Sequence, residues 1–284
     1  DFSQNQLEVG DIGPNTDWTE ALSGVTCVIH CAARVHQLND SSVDPLVEYR
    51  KVNLEGTAAL IEQAAAAGVG RFILLSSAKV NGEITIGSDA FFSTDDVEPT
   101  DPYALSKYEA ERVVMKFASR SGLEVVIVRP PLIYGPGVKA NFHNLVSLVY
   151  AGLPLPLALI RNKRSLIGID NLVDVLTNCI CHTAAPGQIF LVSDNRDLST
   201  SELVSVIANA LNKKALLIPV PLFLLQLAGK LFGQIEKVDR LTTSMVLNID
   251  HTIESLNWNP PVRIEDGIEK TVLRYLHDKR AAQR

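Results

Sequence analysis

The sequence predicts an α/β protein, a doubly wound parallel sheet followed by a smaller, mostly helical domain. Short apolar runs rich in Val, Ile and Leu recur at 25–33 (VTCVIHCAA), 71–77 (RFILLSS), 123–130 (LEVVIVRP) and 188–193 (QIFLVS). Such runs are continuous rather than alternating, which marks strands buried on both faces. Stretches of helical periodicity lie between them. Strand alternating with helix implies right-handed crossovers and parallel pairing.

The elements follow in chain order. A helix over 45–67 carries Leu46, Val47, Val52, Leu54, Ala58, Leu60 and Ile61 on its apolar side and stops at Gly68. A second, over 102–120, opens with Asp101 as N-cap and Pro102 at the first helical position. From about 131 the rhythm changes: PPLIYGPG is rich in turns, AGLPLPLALI is broken by proline, and WNPPV precedes a last helix at 263–282. The chain divides accordingly into a sheet domain, residues 1–130 with 166–196, and a helical domain, residues 131–165 with 197–284. The apolar stretch 219–233 (PVPLFLLQLAGKLFG) reads as a core or domain-interface helix, because it lacks the Lys/Arg-rich face of helices that lie on membranes.

Composition excludes several functions. A net charge of -6 and a pI near 5.5 argue against a nucleic-acid binder, which needs a basic face. The four cysteines (Cys27, Cys31, Cys179, Cys181) have apolar flanks and read as buried small hydrophobes in a reducing compartment. Cys179-x-Cys181-His182 lacks the second pair a zinc site needs, so no metal is expected. No apolar run reaches the roughly 18 residues of a spanning helix, and no signal peptide opens the chain. A cytoplasmic protein without stable membrane insertion is expected.

Residues 101–111, DPYALSKYEAE, place Tyr103 and Lys107 four apart, on one face of the predicted helix. An ammonium beside a phenol favours the phenolate and pulls its pKa toward working pH. The pair is common by chance, so its surroundings decide. In open α/β sheets, ligands bind beyond the carboxyl ends of the strands. HCAAR (30–34), SSAKVNGE (76–83) and RPPLIYGPG (129–137) stand at three such ends.

GDI at 10–12, VIHCAA at 28–33, VNLEGT at 52–57, LLSSAKV at 74–80, PYALSK at 102–107 and VRPPLIYGPG at 128–137 resemble, in order, the motifs of the extended short-chain dehydrogenase/reductases. The likeness is to their nucleotide-sugar epimerase/dehydratase group. It implies a Rossmann-type sheet, NAD or NADP as cofactor, and a UDP-sugar substrate. Asp11 and Ile12 would hold the adenine, Ala32 and Ala33 the pyrophosphate–ribose path, and Asn53 the strand ends near the cofactor. Ser76 would join the cofactor side and Pro130 would border the nicotinamide. Lys107 would bind the nicotinamide ribose and depress the pKa of Tyr103. Tyr103 would exchange a proton with the sugar oxygen, and Ser77 would hydrogen-bond that oxygen. Asn141 and Phe142 would cover the substrate diphosphate, with Arg164 and, less directly, Arg240 as its guanidinium partners. Each residue has an ordinary structural reading beside this one: strand-end cap, buried hydrogen-bonder, turn or surface charge.

Two departures stand out. The family opens on a strand and a Gly-rich turn that receives the pyrophosphate, whereas this chain opens on a segment resembling the third strand, so its first βαβ unit is missing. A fragment is expected, with an open sheet edge, poor folding and weak dinucleotide binding. The family's V-Y-G is written Val80-Asn81-Gly82, and Ala78-Lys79 stands where dehydratases carry an acidic pair. Dehydration is therefore disfavoured. Two readings remain open: a UDP-hexose 4-epimerase, and a reductase of a UDP-4-keto-6-deoxy-N-acetylhexosamine. A non-catalytic nucleotide-binding protein is the alternative of another class, and a membrane-bound scaffold using 219–233 ranks last. A homodimer is the expected assembly.

Overall fold

A computed structural model describes residues 6–35, 44–87 and 89–282. Strands β1 (Cys27–His30), β2 (Arg71–Leu75) and β3 (Glu124–Arg129) lie side by side in parallel. Strands β4 (Leu132–Tyr134) and β5 (Leu166–Gly168) pair with each other in a separate small sheet. Strand β6 (Ile189–Leu191) returns beside β3, giving the order β1-β2-β3-β6. Cys27 stands opposite Arg71, Arg71 opposite Glu124, and Ile127 opposite Ile189.

The unbroken apolar runs have a direct cause. Alternate side chains of one strand enter two different cores. Ile73, Val126 and Val128 point into one, and Phe72, Leu74, Val125 and Ile127 into the other. All seven are at most 1% exposed, and each such burial stabilises by about 1.5–3 kcal/mol.

Helices close both faces. The expected helix over 45–67 is three pieces: α1 (Pro45–Tyr49), a π-helical segment (Arg50–Gly56) and α2 (Thr57–Ala66). Its continuation α2 packs with α3 (Pro102–Ser121) on one side of the sheet. The α3 boundaries follow local chemistry: the Asp101 carboxylate accepts from the Ala104 N–H at 2.9 Å, and Gly122, at φ 74°, supplies the left-handed residue that ends the helix.

In α4 (Ala140–Tyr150), Phe142, Leu145, Val146 and Val149 make one buried stripe. The opposite face of the main sheet is covered by α5 (Ile169–Cys181). Its last carbonyls are capped by Arg71, whose Nη1 donates to Cys179 O at 2.8 Å and Ile180 O at 2.7 Å. Helix α6 (Thr200–Ala210), begun by a Ser199/Glu202 capping box, shares a core with α4.

The expectation for 219–233 is corrected. Helix α7 (Leu222–Leu231) forms, but only Gly229 within it is buried, while Phe223 and Phe232 are 66% and 78% exposed. It docks on α8 (Ile235–Thr242) through Gly229, where an added Cβ would stand 2.8 Å from Val238. Apolarity alone does not say which side of a helix finds a neighbour. Helices α9 (Asp250–Leu256) and α10 (Ile264–Ala281) complete the chain, with α10 joining α4 and α6 in their core.

Residues 7–12 form no strand, so among the described residues β1 stands at the sheet edge. The first five residues of that opening segment lie outside the described ones. Its close packing survives nonetheless: an added Cβ on Gly56 would come 2.8 Å from Ile12 Cγ2.

Candidate active site

Beyond the carboxyl ends of β1, β2 and β3 the chain gathers Cys31–Arg34, Ser76–Asn81 and Pro130, with the first turns of α3 over them. A chain of hydrogen bonds fixes this meeting. Asn53, in the π-helical segment, grips Arg34 by both backbone groups, accepting from its N–H at 2.8 Å and donating to its carbonyl at 3.0 Å. Its amide also donates to Ser106 Oγ at 3.0 Å, and that hydroxyl donates to the Tyr103 carbonyl at 2.7 Å. Asn53 thus ties the end of β1 to the turn of α3 that bears the tyrosine. A π-helical insertion at such a point is a recurrent feature of functional sites.

Tyr103 is half-buried, with its ring edge-on to Tyr49 at 5.9 Å. Burial raises its phenol pKa most strongly, and Asp101 and Tyr49 raise it further, whereas hydrogen bonding with the Ser77 hydroxyl lowers it. Ser77 also caps the short helix Ala78–Val80, accepting from Lys79 N–H at 3.2 Å. Lys107 is 1% exposed, and its ammonium donates to the Leu75 carbonyl at the end of β2, at 2.7 Å. Desolvation pushes its pKa down to about 8, opposed by Glu111. The expected depression of the Tyr103 pKa by Lys107 is not what this structure holds, because the ammonium is turned to the strand end and burial dominates the phenol. Ser77 and Tyr103 hydrogen-bond to each other, and Lys107, one helical turn beyond Tyr103, reaches the end of β2 that precedes Ser77.

Beneath them lies a network that sequence reasoning missed. Arg129, at the end of β3, donates to both oxygens of Glu111 at 2.9 and 2.6 Å, and both side chains are 4% exposed. Its remaining arm donates to Asn81 Oδ1 at 2.9 Å, and Asn81 donates to the Phe92 carbonyl at 2.7 Å. The Ser76 hydroxyl donates to Glu111. Ser76 is therefore corrected from cofactor ligand to framework: its side chain turns inward because a buried carboxylate needs donors. Ser76 and Asn81 bracket Ser77, so this ion pair holds both ends of the segment that carries it. The signal was present. An arginine inside an apolar strand demands a buried acid, and Glu111 continues the Tyr103–Lys107 row by one more turn.

The other expected residues divide. Ala32 and Ala33 lie exposed to half-exposed at the end of β1, and Pro130 is buried where its carbonyl accepts from Ala78 N–H at 2.9 Å. Asp11 and Ile12 lie beside the π-helical segment, with the Asp11 carbonyl taken by Thr16. Asn141 is exposed at the start of α4. Phe142 is corrected: it is 3% exposed and stacks on Tyr134 at 5.5 Å, because it belongs to the buried stripe of α4. Arg164 is placed against the backbone of Arg240, 76 positions away, donating to its main-chain carbonyl at 3.1 Å, whereas the Arg240 guanidinium itself pairs with Glu236 at 3.8 Å. Burial lowers the Arg164 pKa, and Glu83 opposes it. A cleft of about 550 Å³ runs between residues 79–84 and 96–101, starting two residues after Ser77. Its wall carries Lys79, paired with Glu83 at 2.6 Å.

Comparison with known proteins now has a geometry to explain. Residues 2–192 match the model described as the NAD dependent epimerase/dehydratase family. The chain belongs to that family. Within it, the chain is 48% identical over 271 residues to a UDP-glucose 4-epimerase of Vibrio cholerae, covering 95% of this chain and 83% of that protein. It is 25% identical over 296 residues to an N-acetyl-alpha-D-glucosaminyl-diphospho-ditrans,octacis-undecaprenol 4-epimerase of Escherichia coli O157:H7, covering 98% and 86%. Among solved structures, the UDP-glucuronic acid 4-epimerase of Bacillus cereus in complex with NAD superposes with a TM-score of 0.75 at 20% identity, over 94% of this chain and 79% of that one. The epimerase/dehydratase sheet with its helical C-terminal part is the fold found here.

Proposed function

We propose that the protein is an NAD-dependent 4-epimerase of a UDP-hexose, with Tyr103 as its acid/base. The supporting observation is the gathering of Ser77, Tyr103 and Lys107 at the strand ends, in a chain so similar to a 4-epimerase along nearly its whole length. In this reading the main sheet with 1–130 and 166–196 serves the dinucleotide, and 131–165 with 197–284 serves the sugar nucleotide. A homodimer in the cytoplasm is part of the same reading.

The residues fit the nicotinamide–ribose end of the cofactor. A buried ammonium has three donors, of which Leu75 takes one, leaving Lys107 able to hold a ribose hydroxyl. Small side chains at Ala32 and Ala33 allow close backbone approach beyond β1. The chemistry a bound nicotinamide supplies is reversible hydride acceptance from the sugar carbon. Tyr103 must take the proton of the C4 hydroxyl and give it back, and Ser77 holds the same oxygen in line. In the present state the phenol keeps its proton. Turning the Lys107 ammonium toward it, or placing further positive charge beside it, would lower its pKa toward the working range. Arg164 and Arg240 are the diphosphate partners in this reading.

The test is to incubate the protein with UDP-glucose and saturating NAD and to separate the 4-epimers. Formation of UDP-galactose without net change in NADH absorbance is expected. Stoichiometric consumption of reduced cofactor with a 4-keto sugar, and no interconversion, would replace this reading with the reductase.

A further inference from the structure

Helix α7 and its surroundings make a surface that the proposed chemistry does not use. Phe223, Leu227 and Leu231 form one exposed i, i+4 row, and Phe232 follows. The helix is anchored from below by Leu225, which packs on the core of α4, α6 and α10, and by Gly229 against α8. The exposure therefore belongs to a fixed helix.

The apolar surface continues across two neighbouring segments. Leu155 N–H donates to the Leu216 carbonyl at 2.7 Å, and Ile218 N–H to the Leu155 carbonyl at 2.8 Å. Leu153, Leu159, Leu216 and Ile218 are all exposed around this pairing. A patch of this extent and composition marks an interaction site.

Charge decides its partner. Residues 151–163 contain the exposed Arg161 and Lys163 and no carboxylate, and residues 203–235 contain Lys213, Lys214 and Lys230 and no carboxylate; α8, on which α7 docks, balances Glu236 and Asp239 with Lys237 and Arg240. These paired segments are wholly cationic in a chain of net charge -6. The basic residues missing from α7 itself are thus supplied by its neighbours. We propose that this face docks on an anionic lipid bilayer, with α7 lying along the interface. Apolar side chains buried at the headgroup boundary and a surrounding set of lysines and arginines are what such a surface recognises. A self-association interface would have to bury those cations, whereas at a bilayer their heads stay hydrated and their stems cover apolar surface. With 10 residues, α7 is about 15 Å long, and no helix among the described residues is long and apolar enough to cross a membrane. The contact is peripheral.

The experiment is co-sedimentation of the intact chain with phosphatidylcholine vesicles and with vesicles containing about one-third phosphatidylglycerol. Binding to the anionic vesicles, several-fold stronger than to the neutral ones and weakened by salt, is expected. The exposed pair Phe223→Ser/Phe232→Ser should lower partitioning roughly tenfold or more with an unchanged melting curve, and Lys214→Glu/Lys230→Glu should lower it similarly. Absence of binding to either vesicle, or serine variants that bind as well as the parent, would overturn the proposal. So would a lipid-free dimer that the same serine pair disperses, since the patch would then be a self-association surface.

Discussion

In the proposed reading Tyr103 moves the proton, and Glu111 anchors the segment that bears its partner Ser77. Removing one partner of a buried ion pair strands the other charge, which costs about 3–5 kcal/mol. Glu111→Gln should therefore lower the denaturant midpoint far more than Glu109→Gln, whose partner Arg50 lies 2.5 Å away at a part-exposed site. Equal losses in the two variants would mean that Arg129 finds another acceptor. Lys107 sets a pH limit. Its pKa falls from 10.5 in the unfolded chain to about 8 in the folded one, so between those values the unfolded state binds more protons. Its contribution to stability rises with pH across that window. Its charge is lost in the same window, and kcat/KM is expected to decline above about pH 8. A profile flat through that region would show that the charge on Lys107 is not needed. That Ser77, Tyr103 and Lys107 stand at the end of β2 and the start of α3 was legible, because spacing and neighbouring motifs mark their places in the chain. The inward turn of Ser76 and Phe142 was not, because a motif gives a position in the chain and not the side a side chain faces.

Among the elements, α3 does most of the positioning. One helix bears Tyr103, Ser106, Lys107, Glu109 and Glu111, each with a different partner, and Asp101 starts it. Asp101 acts in two ways that a pair of variants separates. Asp101→Ala removes the cap and should cost about 1 kcal/mol. Asp101→Asn keeps a capping oxygen but removes a charge that raises the Tyr103 pKa, so it should shift the phenol's limb of the pH–rate profile to lower pH with little loss of stability. An unshifted limb would mean that Asp101 does not act on Tyr103. The four main strands and the start of α3 could be read from the sequence because burial on both faces and an Asp-Pro start leave local signatures. The π-helical segment that presents Asn53 could not, since nothing local distinguishes it from the α-helix around it. Helix α7 shows the converse limit: its apolarity predicted a helix correctly and a buried one wrongly.

At the scale of the molecule, the proposed site would lie where the parallel sheet meets the helical half, and long-range contacts position its residues. Arg164 reaches Arg240 only because residues 164, 198 and 245 lie side by side. Arg164→Ala should raise KM for the sugar nucleotide by roughly ten- to a hundredfold, with a smaller effect on kcat, if the guanidinium binds a diphosphate. His30, at the end of β1, reports on the sheet's integrity. Burial first, and then Lys107, push its pKa from 6.5 down to about 4. Its contribution to stability is fully present above 6.5 and is lost as pH falls through about 4, because the unfolded chain takes the proton first. The midpoint should fall between about pH 7 and pH 5, and less so in His30→Gln. The most direct measurement remains turnover of UDP-glucose by Tyr103→Phe beside the parent protein at saturating NAD. Loss of the phenolic proton carrier should lower kcat by about 10²- to 10⁴-fold while KM changes little. Parent and variant turning over at the same rate would contradict the assignment of Tyr103 as acid/base.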